Sequence, residues 1–218
     1  MDQTLEYVYW IGGTSCSGKS TVAELLAAEF GLELYHGDSW LQRLDRADPL
    51  KHPRLTLINR SRKGEITGEH FLMHPPPEQM RNQILARTEY FPFYIEDMHR
   101  YPAGEQVILE GTQLLPEFLD GLVDPKRVIY LNATESFIRE RNASRSVELQ
   151  HLRGLADPDT GAKNRIGTMI LFAKYISEGA RDRGFRVETV DGTKTPEEVA
   201  RIVAEHFGLL GGGSEGEL

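Results

Sequence analysis

Gly12-Gly13-Thr14-Ser15-Cys16-Ser17-Gly18-Lys19-Ser20-Thr21 is the stretch on which the reading of this chain turns. From Gly13 to Ser20 it matches the phosphate-binding loop pattern G-x-x-x-x-G-K-[ST]. An apolar run at 7–11 stands before it and reads as a buried strand. The segment from 21 to 30, Thr-Val-Ala-Glu-Leu-Leu-Ala-Ala-Glu-Phe, reads as an amphipathic helix. Strand, glycine loop and helix form the context the pattern requires. Gly13 and Gly18 let the backbone turn tightly and come close to phosphate oxygens. The N–H groups of Thr14, Ser15, Cys16 and Ser17 then line an anion nest, backed by the start of the helix. A lysine at a helix N-terminus is unfavourable by itself, so a phosphate partner accounts for Lys19 better than a solvated role does. Ser20 offers a hydroxyl to Mg²⁺, and Thr21 faces the α-phosphate side.

Outward from that loop, the chain alternates between strand and helix signals. Strands are expected at 7–11, 33–36, 106–109, 127–131 and 186–190. Helices are expected at 19–30, within 39–100, near 116–121, and at 135–149, 163–183 and 196–207. Such alternation predicts an α/β three-layer sandwich around a parallel sheet, with ligands at the C-terminal strand ends. Residues 38–104 carry no clear strand and are rich in Arg, His and Pro, which predicts a helical insertion over the mouth of the sheet. The 211–218 stretch, Gly-Gly-Gly-Ser-Glu-Gly-Glu-Leu, reads as a flexible tail.

Chemistry-bearing residues recur at these strand ends. Glu110, followed by Gly111, closes the third strand and has the form of an acid that holds Mg²⁺ through water; the alternative is a charged strand end facing solvent. Asp38 follows the second strand, where it would orient or deprotonate an acceptor; alternatively Asp38 or Ser39 caps a helix starting at Trp40. Arg139, Arg141 and Arg145 follow the fourth strand. Arg141 and Arg145 are four apart and share a helix face, suited to charge on a transferring phosphoryl group, or to pairing with Glu135, Glu140 and Glu148. Arg153 and Arg165 flank a loop that would serve as a closing lid. After the fifth strand, Thr195 and Pro196 read as a helix cap, and Gly192 and Thr193 would pack against an adenine base.

Arg43, Arg46, Arg54, Arg60, Arg62 and Lys63 concentrate positive charge in the insertion of a chain whose net charge is −8. Two readings stand: recognition of an anionic acceptor, or a solvated helical surface. His52, His70, His74 and His99 lack metal-ligand spacing and read as surface or packing residues. Cys16 is read either as a thiol whose oxidation would block the loop or as a small tolerated residue.

The composition, 39% hydrophobic and 27% charged over 218 residues, is that of a globular protein of one domain. No apolar run approaches the ~20 residues of a membrane span. The acidic balance argues against general nucleic-acid binding. A single cysteine and an opening without a basic or apolar leader region suit a reducing, cytoplasmic setting.

With these residues in view, the chain resembles the P-loop small-molecule kinases, the broad group of nucleoside, nucleoside-monophosphate and metabolite kinases. The Gly12-Gly13-Thr14 opening looks most like uridine-kinase-type loops. The resemblance spans about residues 5–208. It implies the P-loop NTPase fold with five strands in the order 2-3-1-4-5, one kinase domain over 1–208, an acceptor-binding insertion at about 39–104, a mobile lid at about 139–165 and a tail at 209–218. It implies Mg-ATP as donor and a small-molecule acceptor, with nucleosides and nucleotides among the candidates. Asn-Lys-x-Asp of regulatory GTPases and Leu-Ser-Gly-Gly-Gln of transporter ATPases are absent from the sequence. So is the Asp-Gly-x-Pro-Arg lid pattern of adenylate kinases, and no diagnostic acceptor motif occurs in 40–101. The sequence thus leaves the acceptor and the oligomeric state open. A kinase of nucleic-acid ends, proteins or antibiotics, and a non-catalytic ATP sensor, are the alternatives.

Overall fold

The computed structural model describes residues 2–67, 69–102, 104–145, 152 and 155–211; for 3, 38–42, 70, 144, 145 and 211 it describes the backbone alone. Five parallel strands form one sheet in the order β2-β3-β1-β4-β5. They are β1 (Val8–Gly13), β2 (Glu33–His36), β3 (Val107–Glu110), β4 (Val128–Ala133) and β5 (Arg186–Val190). This is the order and the P-loop NTPase fold that the family resemblance implied. β2 and β5 have the expected bounds; β1, β3 and β4 run one or two residues further toward the loops that follow them.

The layering follows from the pleat, which sends successive side chains to opposite faces. Val8, Trp10, Val107, Leu109, Val128 and Tyr130 point one way, to meet Tyr90, Tyr94, Met98, Phe172 and Ile176. Tyr9, Ile11, Ile108, Ile129 and Leu131 point the other way, to meet Val22, Leu26, Val199, Val203 and Phe207. All six residues of β1 are buried, each large apolar side chain contributing roughly 1.5–3 kcal/mol. β1 therefore sits centrally with both faces covered, and this fixes the loop that follows it.

Helices α1 (Lys19–Phe30) and α8 (Pro196–Phe207) cover one face. α1 ends where Gly31 takes φ 64° and donates its N–H to Ala27 O. α8 starts with a reciprocal cap between Thr195 and Glu198. On the other face lie α4 (Pro76–Met98), α5 (Pro116–Leu119) and α7 (Pro158–Asp182), with α6 (Glu135–Arg145) beside α7. α7 begins five residues earlier than expected, because Asp157 accepts from Thr160 N and Pro158 takes the first helical position. Between β2 and α4 run a 3-10 stretch, Gly37–Arg46, then α2 (Pro53–Arg62) and α3 (Glu69–Leu72). The end of the tail (212–218) and, within the expected lid, residues 146–151, 153 and 154 lie outside the described residues; 139–145 belong to α6 and 158–165 to α7.

Candidate active site

The loop after β1 is held from below before any ligand is considered. Thr14 N donates to Leu131 O at 3.1 Å. Thr14 Oγ1 accepts from Ala133 N at 3.0 Å. Gly13 has φ 129°, and a Cβ there would lie 2.0 Å from Leu131 O. No L side chain fits that position, so the glycine keeps β1 and β4 in contact where the loop departs. Cys16 (φ 67°) and Gly18 (φ 75°) take left-handed conformations, which turns successive N–H groups inward as an anion nest does. Lys19 is only 6% exposed. Its ammonium folds back into the loop, donating to Thr14 O at 2.6 Å and lying 3.4 Å from Ser17 Oγ. A closed amide cradle with an ammonium inside fits a polyphosphate.

The neighbouring strand ends bring polar groups to the same place. Glu110 is 4% exposed and stands in register with Ile11 of β1 and His36 of β2. Its Oε1 lies 3.1 Å from His36 Nδ1. Gly111 N donates to Ile11 O, tying the residue after Glu110 to the strand that leads into the loop. Gly37 packs so closely that a Cβ would lie 2.4 Å from Glu110 O, and its carbonyl accepts from Tyr94 Oη at 2.6 Å. The backbone of Asp38 therefore follows directly on a residue pressed against Glu110 and Gly111. The side chain of Asp38 lies outside the described residues. Ser20 is exposed at the start of α1, and Thr21 beside it. Among the described residues, no group of three or more His, Cys, Asp or Glu could hold a metal ion.

The arginines of α6 part company. Arg139 pairs with Glu135 at 2.7 Å on the exposed face, the solvated role the sequence also allowed. Arg141 stands 4.9 Å over the Phe137 ring. One edge of that ring meets the loop after β5, where a Cβ at Gly192 would fall 2.8 Å from Phe137 Cε2. Thr193 donates its N–H and its hydroxyl to Asp191 Oδ1 at 3.0 and 2.6 Å. The Thr193 hydroxyl, then its N–H, hold the Asp191 carboxyl below its usual range. Arg141, Gly192 and Thr193 thus share one side of the site. The side chain of Arg145 and all of Arg153 lie outside the described residues.

Two side chains that sequence reading passed over or ranked low take a place near the loop. Asn142 is 3% exposed; its amide donates to Ile138 O at 2.7 Å and lies 3.8 Å from Cys16 Sγ. Arg165 of α7 donates to Asn142 Oδ1 at 2.7 Å, which brings its guanidinium toward the loop. An asparagine on the apolar stripe of α6, next to Ile138, was the available signal. Arg87 of α4 was also missed. It donates to Thr112 O and to Gln83 O, each at 2.9 Å, and lies 4.5 Å over Phe172.

Arg87 and Thr112 border a cavity of about 570 Å³ between α2, α3, α4 and the segment after β3. Most of the basic residues expected to face an acceptor do not face it. Arg43 pairs with buried Asp97, Arg46 with Glu96, Arg60 with Glu65, and Arg62 and Lys63 with Asp45. Arg54 alone of the six lines the cavity.

No protein-family model matches the chain, and no curated protein matches it. Solved structures do. Shikimate kinase from Acinetobacter baumannii, in complex with shikimate, is 14% identical with a TM-score of 0.49, covering 95% of each chain. Deoxyadenosine kinase from M. mycoides is 12% identical with a TM-score of 0.48, over 93% of this chain and 99% of that one. Thymidylate kinase from Candida albicans is 14% identical with a TM-score of 0.47, over 94% and 92%. At such scores these likenesses decide neither reaction nor substrate. The fold stands on the sheet order and on the loop between β1 and α1.

Proposed function

We propose that this protein is an ATP-dependent phosphotransferase, moving the γ-phosphoryl group of Mg-ATP to a small hydroxyl- or phosphate-bearing metabolite. One observation carries the reading. The closed loop with Lys19 inside it and the 570 Å³ cavity beside Thr112 flank the same strand ends, so a donor and an acceptor would meet at Glu110 and Asp38. The uridine-kinase-type opening Gly12-Gly13-Thr14 belongs to this reading.

In the proposed mechanism the amides of Thr14, Ser15, Cys16, Ser17, Gly18, Lys19 and Ser20 hold the β- and γ-phosphates, and Thr21 meets the α-phosphate. Lys19 exchanges its bonds to Thr14 O and Ser17 Oγ for phosphate oxygens. Ser20 and, through water, Glu110 would hold Mg²⁺, which would supply neutralisation of the phosphate charge. Asp38 orients the acceptor and takes its proton if the nucleophile is a hydroxyl. Gly192 and Thr193 read the base edge, and Arg141 reaches the nucleotide from that side. Arg145, with Arg165 steered by Asn142, meets the charge that develops on the transferring group. Closure of these arginines excludes water, which would otherwise accept the phosphoryl group.

The test is ADP release from Mg-ATP, measured alone and with nucleosides, nucleotides, sugars and phospho-acids. A phosphotransferase releases little ADP alone and is stimulated by one acceptor class. Binding of Mg-ATP with no stimulation by any acceptor would instead identify a sensor.

A further inference from the structure

The cavity beside Thr112 has a chemistry of its own, and it narrows the acceptor. Apart from Arg54, its walls from α2 and α3 are apolar: Leu57, Ile58, Phe71 and Leu72. The wall from α4 presents one helix face, on which Gln79, Asn82, Gln83, Ala86, Arg87 and Tyr90 recur at three- and four-residue steps. Ala86 is 8% exposed and, with no side chain beyond Cβ, leaves a slot between its larger neighbours. The Gln79 amide is spent on Leu72 O, His74 O and Thr168 Oγ1, so the site offers apolar, aromatic surface on one side and the side-chain amides of Asn82 and Gln83 on the other. An amide presents both a donor and an acceptor, the complement of a heterocycle edge. A three-carbon acid or an inorganic anion would leave most of about 570 Å³ unfilled and forgo the contacts of those walls.

Charge supplies the second constraint. Arg54 and Arg87 line the cavity, and its one carboxylate, Glu78, lies 3.2 Å from His74 Nδ1. In a chain of net charge −8 this is a local positive field, and five of the six basic residues singled out in the insertion are spent on ion pairs elsewhere. Arg54 forms no ion pair among the described residues, while its N–H is fixed by Glu89 at 2.9 Å. Arg87 is anchored to Thr112 O at the β3 end, so of the two arginines it is the one tied to the strand ends. Guanidinium groups suit phosphate better than they suit a neutral hydroxyl.

We propose that this cavity takes a nucleoside monophosphate, with the phosphate drawn toward the β3 end by the combined charge of Arg87 and Arg54 and the base between the apolar wall and the amides of Asn82 and Gln83. The proposal rests on the phosphotransferase reading above and makes the nucleophile a phosphate oxygen. That oxygen bonds to the γ-phosphorus. The bond from this phosphorus to the β–γ bridging oxygen breaks, and its electron pair leaves with ADP. The acceptor departs as a nucleoside diphosphate. With a second pKa of about 6, the acceptor phosphate is mostly dianionic at neutral pH, so no proton has to be removed.

The experiment compares AMP, GMP, CMP, UMP and dTMP with their nucleosides and with shikimate, using the full chain and Mg-ATP. ADP release and ³¹P spectra report turnover, and calorimetry of each compound without ATP reports binding. At least one monophosphate should stimulate ADP release and yield a diphosphate signal, and its own nucleoside should do so at least about tenfold less well. Arg54→Gln should raise the KM for that monophosphate about tenfold, while calorimetric affinity for Mg-ATP stays within about twofold. Equal or better turnover of a nucleoside or of shikimate overturns the assignment. So does a KM unmoved by Arg54→Gln, or the failure of every monophosphate to bind or react. Loss of Mg-ATP binding in the wild type would instead overturn the phosphotransferase reading, and the ATP-free titrations would still judge the cavity.

Discussion

Lys19 shows how much a single side chain can be asked to do. It is buried, and its ammonium is held by a carbonyl and a hydroxyl of its own loop. A buried ammonium needs partners of that kind until an anion arrives. Lys19→Ala removes the charge without disturbing the backbone cradle, which is held by Thr14 and Gly13. Transfer should fall by about 3 kcal/mol of transition-state stabilisation or more, roughly a hundredfold or greater. Steady-state kcat/KM with the preferred acceptor checks this, and a loss under about tenfold would remove Lys19 from the reacting centre. At this scale the loop was legible because its residue types are dictated by backbone geometry and phosphate chemistry. Asn142 and Arg87 were not. Each acts through a partner distant in sequence, Cys16 and Arg165 for one and Thr112 for the other, and no local pattern announces such a meeting.

Elements announce themselves through their ends. α8 was legible from Thr195 and Pro196, which read as a cap; the structure adds Glu198, which closes a capping box. Thr195→Ala should cost about 1 kcal/mol, read as a lower urea midpoint at unchanged slope; an unaltered midpoint would make the cap idle. The start of α7 was missed although Asp157 and Pro158 spell a similar signal. The glycine at 161 and the surrounding polar residues read as a lid loop instead. In the structure Gly161 packs against Leu155, so the space that it leaves seats a leucine. The N–H of Thr160, then its side chain, hold the Asp157 carboxyl below its usual range. A folded value below the unfolded one, about 3.9, means that this cap contributes above that pH and is lost as pH falls through the folded value. The amide shift of Thr160 should therefore titrate with a midpoint under about 3.9 by NMR; a midpoint at or above it would contradict the cap.

For the molecule as a whole, the parallel sheet could be read from the alternation of apolar runs and helices, and its strand order was what the family resemblance implied. The region between β2 and β3 could not be read so far. Its arginines looked like one basic surface, but acidic residues from 45 to 97 neutralise most of them, and the cavity arises from the packing of three helices. What unites the two halves is the loop at the end of β1, the one place where every strand-end group would act on a shared ligand. Calorimetric titration with Mg-ATP is the direct measurement of that claim. The account expects saturable one-to-one binding that Gly13→Val abolishes, because a side chain there collides with Leu131 O. Absence of heat in the wild-type protein, or binding that survives Gly13→Val unchanged, would contradict it.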